Sequence, residues 1–231
     1  KYRTPVILLS DGYLANGSEP WLLPDIAELA DISTEFATGP NAIDESGQPV
    51  FHPYARDPDT LAREWALPGT PGLEHRIGGL EKADVTGNVS YDPLNHEHMV
   101  RLRAQKIAGI AKDIAPIALD DETGDAEVLV LGWGSTYGAI AAAVRRVRAL
   151  GHKAAHAHLT HLNPFPANLG EILAGYEKVI VAEGNLGQLA RLVRAEFLVD
   201  AKPLTKVQGR PFRVAEIEHA IMVGLGQEHE L

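Results

Sequence analysis

A doubly wound α/β domain with a parallel sheet is the fold class predicted for residues 125–231, and three observations predict it. Short apolar, β-branched runs alternate with segments whose apolar residues recur every three or four positions. Glycines mark the joints between them, and no repeat of roughly 20–50 residues is present. The first strand is Glu127-Val128-Leu129-Val130-Leu131-Gly132, apolar almost throughout, which suits a strand covered on both faces. Gly134-Ser135-Thr136 opens a helix carrying Ile140, Val144 and Val147, and Gly151 stops it. Residues 153–159 form the second strand and Asn168–Leu173 a short helix. Lys178-Val179-Ile180-Val181-Ala182 is the third strand. A helix from Leu186 to Phe197 puts Leu189, Leu192, Val193 and Phe197 on its apolar side. Leu204–Val207 is expected as a fourth strand and Val214–Val223 as the closing helix.

The preceding residues have another character. Val6-Ile7-Leu8-Leu9 reads as a buried strand, followed by the turn-rich Ser10-Asp11-Gly12-Tyr13. Its sheet partners are not evident nearby, and the chain starts at Lys1. The expectation is therefore the C-terminal piece of a longer chain, beginning at the last strand of a domain. From Pro20 to Pro71 lie eight of the fifteen prolines. Proline fixes φ and lacks an N–H, so this density predicts an extended strap instead of packed helices or central strands. Phe36, Phe51, Tyr54, Trp65 and Leu67 favour a strap ordered against other domains or subunits over a flexible linker. Asp25–Ala30 and Asp59–Trp65 are expected to form a turn or two of helix. A longer helix spans 95–115, with Asn95 as N-cap, Val100, Ala104, Ile107, Ala111 and Ile114 as its stripe, and Pro116 beyond its end.

Composition bounds the function. The 231 residues carry 21 Lys and Arg against 31 Asp and Glu, a formal charge of −10, which speaks against a general nucleic-acid binder. No apolar run reaches the roughly 18–20 residues of a membrane span, so no membrane partner is expected. Cysteine is absent, which removes disulfides and thiolate ligands and suits a cytoplasmic location.

In a doubly wound sheet, ligands meet the loops at the carboxyl ends of the strands. Gly132-Trp133-Gly134-Ser135-Thr136-Tyr137-Gly138 has small residues and free helix N–H groups that suit a phosphate or carboxylate. Its Gly-x-Gly-x-x-x-Gly spacing departs from the dinucleotide fingerprint, and a tight strand-to-helix turn explains the same glycines. Glu183-Gly184-Asn185-Leu186-Gly187-Gln188 offers a carboxylate and two amides. Asn185 can cap the following helix and Glu183 can complement its positive end, while no second acid or base is fixed beside them for catalysis. His156 and His158 share a strand face, so with His161 they have the makings of a metal site, though no carboxylate completes it. A partly buried polar face, at an interface, is the favoured reading of them. His96 and His98 flank Glu97, and neither a serine-nucleophile elbow nor a Walker loop occurs. No catalytic residue and no metal ligand is assigned.

The order of the pieces carries a resemblance. Pro5-Val6-Ile7-Leu8-Leu9-Ser10-Asp11-Gly12-Tyr13-Leu14-Ala15, then Gly79-Leu80-Glu81 to Gly87, then Asn95–Ile107 with Arg103 and Lys106, precede Asn163-Pro164-Phe165-Pro166. Val181-Ala182-Glu183-Gly184-Asn185-Leu186-Gly187-Gln188-Leu189 follows. This succession resembles the C-terminal part of the alpha subunit of 2-oxoacid:ferredoxin oxidoreductases, most of all the 2-oxoglutarate:ferredoxin oxidoreductase branch with a fused gamma–alpha chain. The resemblance implies that residues 1–23 end a pyrimidine-type thiamine-diphosphate domain. Residues 24–124 would be the strap and connecting helix, and 125–231 a transketolase C-terminal-like domain. It also implies a beta subunit holding thiamine diphosphate, Mg2+ and a [4Fe–4S] cluster, an upstream fragment of the same alpha chain, ferredoxin as acceptor and an alpha2beta2 assembly. The family reaction decarboxylates a 2-oxoacid oxidatively and passes the acyl group to coenzyme A. The family's Tyr-Pro-Ile-Thr-Pro and Arg-x-Gly-Pro-Ser-Thr-Gly stretches do not occur here. The glutamate that meets the cofactor's aminopyrimidine is expected upstream of Lys1, so this piece is read as scaffold and subunit contact. Pyruvate or branched-chain 2-oxoacid enzymes, transketolase-like and 2-oxoacid dehydrogenase proteins, and a non-catalytic assembly module are the competing readings.

Overall fold

The structure, a computed structural model, describes residues 1–18, 20 and 22–227. They divide into two compact units, one of residues 1–7, 20 and 22–110, the other of 8–18 and 111–227.

In the second unit, a short helix α1 (Gly12–Asn16) occupies the stretch expected as a turn. The proline-rich unit holds little regular structure. Its hairpin pairs β1 (Ala42–Ile43) with β2 (Pro49–Val50), closed by Asp44, whose carboxylate accepts from the N–H groups of Ser46 and Gln48. Isolated bridges, Tyr54 with Val85, Arg56 with Arg63 and Lys82 with Val89, tie the remainder together. Of the two short helices expected there, one is a 3-10 turn at Ile26–Glu28 capped by Asp25. The other, at Asp59–Trp65, is a turn held by the Asp57 carboxylate, which takes the Thr60 N–H and hydroxyl. Gly87 (φ +71°) has the Tyr54 and Pro53 side chains against its backbone, and a Cβ there would stand 2.6 Å from Pro53 Cγ. Only glycine meets both conditions.

Helix α2 (Pro93–Gly109) starts earlier than expected. Asp92 is the N-cap and accepts from the Leu94 N–H, with Pro93 in the first turn, where its missing N–H costs nothing. Asn95 instead bridges the Asp84 N–H and the Lys82 carbonyl. The expected stripe holds in its second half, where Ile107 and Ala111 are half-buried and Ile114 is 8% exposed, but not in its first: Val100 is 45% exposed and Met99, at 1%, is buried instead. The residues around Val6 also depart from expectation. Val6, Ile7, Leu8 and Leu9 lie in no strand and are largely exposed.

The second unit is the doubly wound domain. It runs β3 (Val128–Trp133), α3 (Tyr137–Ala149), β4 (Ala154–Leu159), α4 (Leu169–Ala174), β5 (Lys178–Glu183), α5 (Gln188–Phe197), β6 (Lys202–Thr205) and α6 (Val214–Leu225). All pairings are parallel, in the order β4-β3-β5-β6. Alternate residues of β3 feed two cores. Val128 and Val130 pack with Ile140, Val144 and Val147 of α3 and with Ile217 and Ile221 of α6. Leu129 and Leu131 pack with Leu169 and Leu173 of α4 and with Leu189 and Val193 of α5. Helices on both faces explain why β3 is apolar without alternation. Leu192, expected on the apolar side of α5, is 54% exposed, and Ala190 takes its place in the core.

The edges settle two other differences. β6 lies two residues before the expected strand because Pro203 is tolerated at the rim, where one side of the strand needs no ladder N–H. At the opposite rim, Asp120 pairs with His156 through both backbone groups, at 2.9 and 3.0 Å. Arg148 clamps that bridge by donating to the Asp120 carboxylate and carbonyl and to the Ala154 carbonyl. The β4 edge is thereby covered, which blunts pairing with another chain.

Candidate functional site

β3 and β5 are neighbours whose connections leave toward opposite sides of the sheet, so their carboxyl ends form the topological switch point where α/β domains bind ligands. A cleft of about 580 Å3 opens there, lined by Ser135 and Thr136 after β3, Gly184 after β5, Lys206 and Arg210 after β6, and Asp11. The Thr136 hydroxyl is spent locally, accepting from the Trp133 N–H at 3.1 Å and donating to its carbonyl at 2.9 Å. The Ser135 hydroxyl donates to the Asp11 carboxylate. Lys206 has only 7% of its side chain exposed and donates to both carboxylate oxygens of Glu216, at 2.7 and 2.9 Å. The Lys206 ammonium, together with the Arg213 N–H, holds the Glu216 carboxyl below its ordinary range. Both hydroxyls and the Lys206 charge are thus already engaged, an arrangement that suits binding and not proton transfer.

The loop after β5 is fully committed. Glu183 is completely buried, and its two oxygens accept from the N–H groups of Leu189 and Ala190 at 2.8 and 2.9 Å. Asn185 accepts from the Gly187 and Gln188 N–H groups, and Gln188 accepts from Leu186. Helix α5 begins with unsatisfied N–H groups and a positive dipole end, and this loop supplies both acceptors and charge. With both oxygens occupied, Glu183 is not positioned to act as a base.

The histidines separate. His156 and His158 do share a face of β4, with ring centroids 5.7 Å apart, and Tyr137 packs on both at 5.3 and 5.1 Å. His161 instead pairs with the Thr160 hydroxyl, and the described residues contain no group of three metal-ligating side chains. His96 and His98 reach Glu81 and Asp84, at 2.6 and 2.9 Å. Nε2 of His156 and Nδ1 of His158 are buried without a hydrogen-bond partner.

That environment has a pH consequence. Burial, then the neighbouring His158, lowers the His156 pKa to about 4, against weak opposition from Asp120. Burial lowers the His158 pKa as well. The unfolded chain binds these protons near pH 6.5 while the fold excludes them, so stability is complete above that value and falls as the pH drops toward 4. His156 alone should remove about 2 kcal/mol between pH 7 and pH 5. Urea unfolding at the two pH values checks this. His156→Phe, which deletes the orphaned nitrogen, should flatten the acid limb without loss at pH 7. An acid limb unchanged in that variant would count against the assignment.

The cleft residues Lys206, Arg210 and Asp11 were not legible as a group. Lys206 and Glu216 are ten positions apart, across a loop, and Asp11 is 124 positions from Ser135. No spacing rule joins them.

The parallel four-stranded sheet, its order and the switch-point cleft define an α/β domain of the doubly wound class. Residues 126–217 match the family model of pyruvate:ferredoxin oxidoreductase core domain II. The chain is 56% identical over 224 residues to the 2-oxoglutarate oxidoreductase subunit KorA of Mycobacterium tuberculosis, covering 97% of this chain and 33% of that protein. It is 31% identical to the alpha subunit of 2-oxoacid:ferredoxin oxidoreductase 1 of Aeropyrum pernix, over 96% of this chain and 34% of that one. Among solved structures it matches the 2-oxoglutarate:ferredoxin oxidoreductase of Magnetococcus marinus with 2-oxoglutarate, coenzyme A and succinyl-CoA bound. There the TM-score is 0.70 at 33% identity, over 80% of this chain and 32% of that one. The chain is similar to alpha subunits of 2-oxoacid:ferredoxin oxidoreductases and spans about a third of the length of these relatives.

Proposed function

We propose that this chain is part of the alpha subunit of a 2-oxoglutarate:ferredoxin oxidoreductase, which converts 2-oxoglutarate and coenzyme A to succinyl-CoA and carbon dioxide and passes the electrons to ferredoxin. The 56% identity to the mycobacterial subunit carries the reading. Its partners in this reading are a beta subunit, the upstream part of the same alpha chain and ferredoxin, in a cytoplasmic alpha2beta2 assembly. No helix among the described residues is long and apolar enough to cross a membrane.

The residues present do not fit the family's cofactors. The sequence contains no cysteine to hold an iron–sulfur cluster, and the buried Glu183 is spent on helix α5. In this reading thiamine diphosphate, Mg2+ and the cluster belong to the beta subunit, and no reaction step is assigned to side chains of this chain. Residues 1–23 are read as the end of a pyrimidine-type thiamine-diphosphate domain, 24–124 as the strap and connecting helix, and 125–231 as the transketolase C-terminal-like domain. Support for the first of these comes from Val6–Leu9, whose exposed apolar side chains need cover.

The test is the purified full-length protein with every chain that accompanies it, assayed for ferredoxin reduction. Reduction that requires both 2-oxoglutarate and coenzyme A is expected. Reduction with pyruvate or a branched-chain 2-oxoacid but not with 2-oxoglutarate would replace the substrate. No reduction with any 2-oxoacid by a complex carrying its cofactors would overturn the reading.

A further inference from the structure

The proline-rich strap carries an apolar edge that lies bare. Leu23, Ile26, Leu29 and Ile32 are 91%, 83%, 58% and 92% exposed. They recur at every third position, and the residues between them repeat as well. Leu23-Pro24-Asp25, Ile26-Ala27-Glu28 and Leu29-Ala30-Asp31 each run large apolar, small, acidic. That period suits neither an α-helix nor a strand, whose faces repeat at about 3.6 and 2 residues. The backbone supplies the matching one. Ile26–Glu28 is a 3-10 turn, and its flanks, Asp25 at φ −69°, ψ 122° and Leu29 at φ −72°, ψ 140°, are polyproline-like. Both conformations turn about once every three residues, so residues three apart share an edge. One edge is therefore apolar and another acidic.

The strip is ordered by its own residues. Asp25 accepts from the Ala27 N–H at 2.9 Å, and the Leu29 N–H donates to the Ile26 carbonyl at 3.3 Å. Asp31 accepts from the Ser33 N–H and hydroxyl, at 2.8 and 3.0 Å. Those bonds hold the Asp31 carboxyl below its ordinary range, so it stays ionised at neutral pH. Hydrogen bonds leave the charges in place. Among the described residues Asp25, Glu28 and Asp31 form no ion pair, and no Lys or Arg stands between Arg3 and Arg56 in the sequence. A preformed segment with a bare apolar edge beside an uncompensated acidic one has little ordering cost left to meet on docking.

We propose that Leu23–Ile32 is a docking strip whose apolar edge fills a groove on another subunit, with Lys and Arg at the groove's rim facing Asp25, Glu28 and Asp31. Placing the groove on a different chain rests on the multi-subunit reading above. A second copy of this chain, with a formal charge of −10, is a poor match for an acidic strip. The mode is recognition of a preformed three-fold peptide, in which side chains on one edge enter the groove.

Zero-length carbodiimide cross-linking of the full-length protein, together with the chains that purify with it, tests this. Glu28 or Asp31 joined to a lysine of a different subunit is expected, identified by mass spectrometry after digestion. Dilution of the complex, followed by mass photometry, gives a second readout. Ile26→Ser and Ile32→Ser should each raise the dissociation constant at least about tenfold. Both side chains are bare in this chain, so neither supports its fold. Glu28→Gln should weaken association less and make it less sensitive to salt. Absence of any cross-link from the strip to a different subunit overturns the proposal. Dissociation unmoved by both serine variants, or a protein that purifies without another subunit, overturns it too. Ferredoxin reduction is scored separately, so an active complex whose association ignores the variants fails this inference alone.

Discussion

Glu183→Ala should lower the unfolding free energy by about 3–5 kcal/mol, the cost of stranding buried hydrogen-bonding groups and opening a cavity. The carboxylate is completely buried and is the acceptor for the first two N–H groups of the helical turn at Leu189 and Ala190. Alanine leaves both donors unpaired inside the protein and removes a charge that complements the positive end of α5. Glu183→Gln separates the two contributions. Its amide keeps one acceptor oxygen but turns an NH2 group toward a backbone N–H, so it should lose roughly half as much. Urea unfolding of both variants checks the order. Activity per folded enzyme should survive in Glu183→Gln, since the side chain acts on the helix and not on a reactant. Lost activity with unchanged stability would reverse the assignment.

Gly132→Ala should cost about 2–3 kcal/mol through overpacking. A Cβ at this position would stand 2.2 Å from Ile140 Cδ1 and 2.7 Å from Thr136 Oγ1, with His158 Nδ1 at 3.2 Å. Ile140 is fully buried against β3, and the Thr136 hydroxyl is tied to both backbone groups of Trp133, so neither neighbour yields freely. Here glycine is required for space and not for a left-handed backbone. Ile140→Val in the same chain should return part of the loss, because it removes the methyl that collides. Melting of the single and double variants measures this. A Gly132→Ala protein as stable as the parent would show that α3 moves away from the sheet at little cost.

Gly132 also shows what a motif leaves open. The run Gly132–Gly138 is compatible with an anion cradle and with a tight strand-to-helix turn; the turn is what it forms, and its first glycine admits α3 to the sheet. Gly134 sits at φ +58° in the strand-to-helix turn, and Gly138 belongs to α3. Residue pattern identifies a tight passage, while only the positions of Ile140 and Thr136 reveal what passes. The same limit explains α2. A stripe read from Val100 and Ala104 misses Met99, while its later members Ile107, Ala111 and Ile114 are partly or fully buried. Helical periodicity defines a spacing well and its phase poorly when the sequence near the helix offers several apolar residues.

The sequence alone determined the doubly wound domain. Each strand of the sheet interior is an apolar run, each helix carries its own stripe, and glycines mark the joints, so local chemistry and global fold agree. It also determined the role of the Glu183–Gln188 loop, because a carboxylate and an amide just before a helix have acceptors to offer and a dipole to meet. Tertiary structure alone decided the rest. Asp11 meets Ser135, Lys206 meets Glu216, Lys106 meets the Arg3 carbonyl and Arg3 that of Arg63, through contacts up to 124 positions apart. Such contacts leave no periodic trace. They depend on where the chain returns, which is set by packing of the whole and not by the spacing of neighbours.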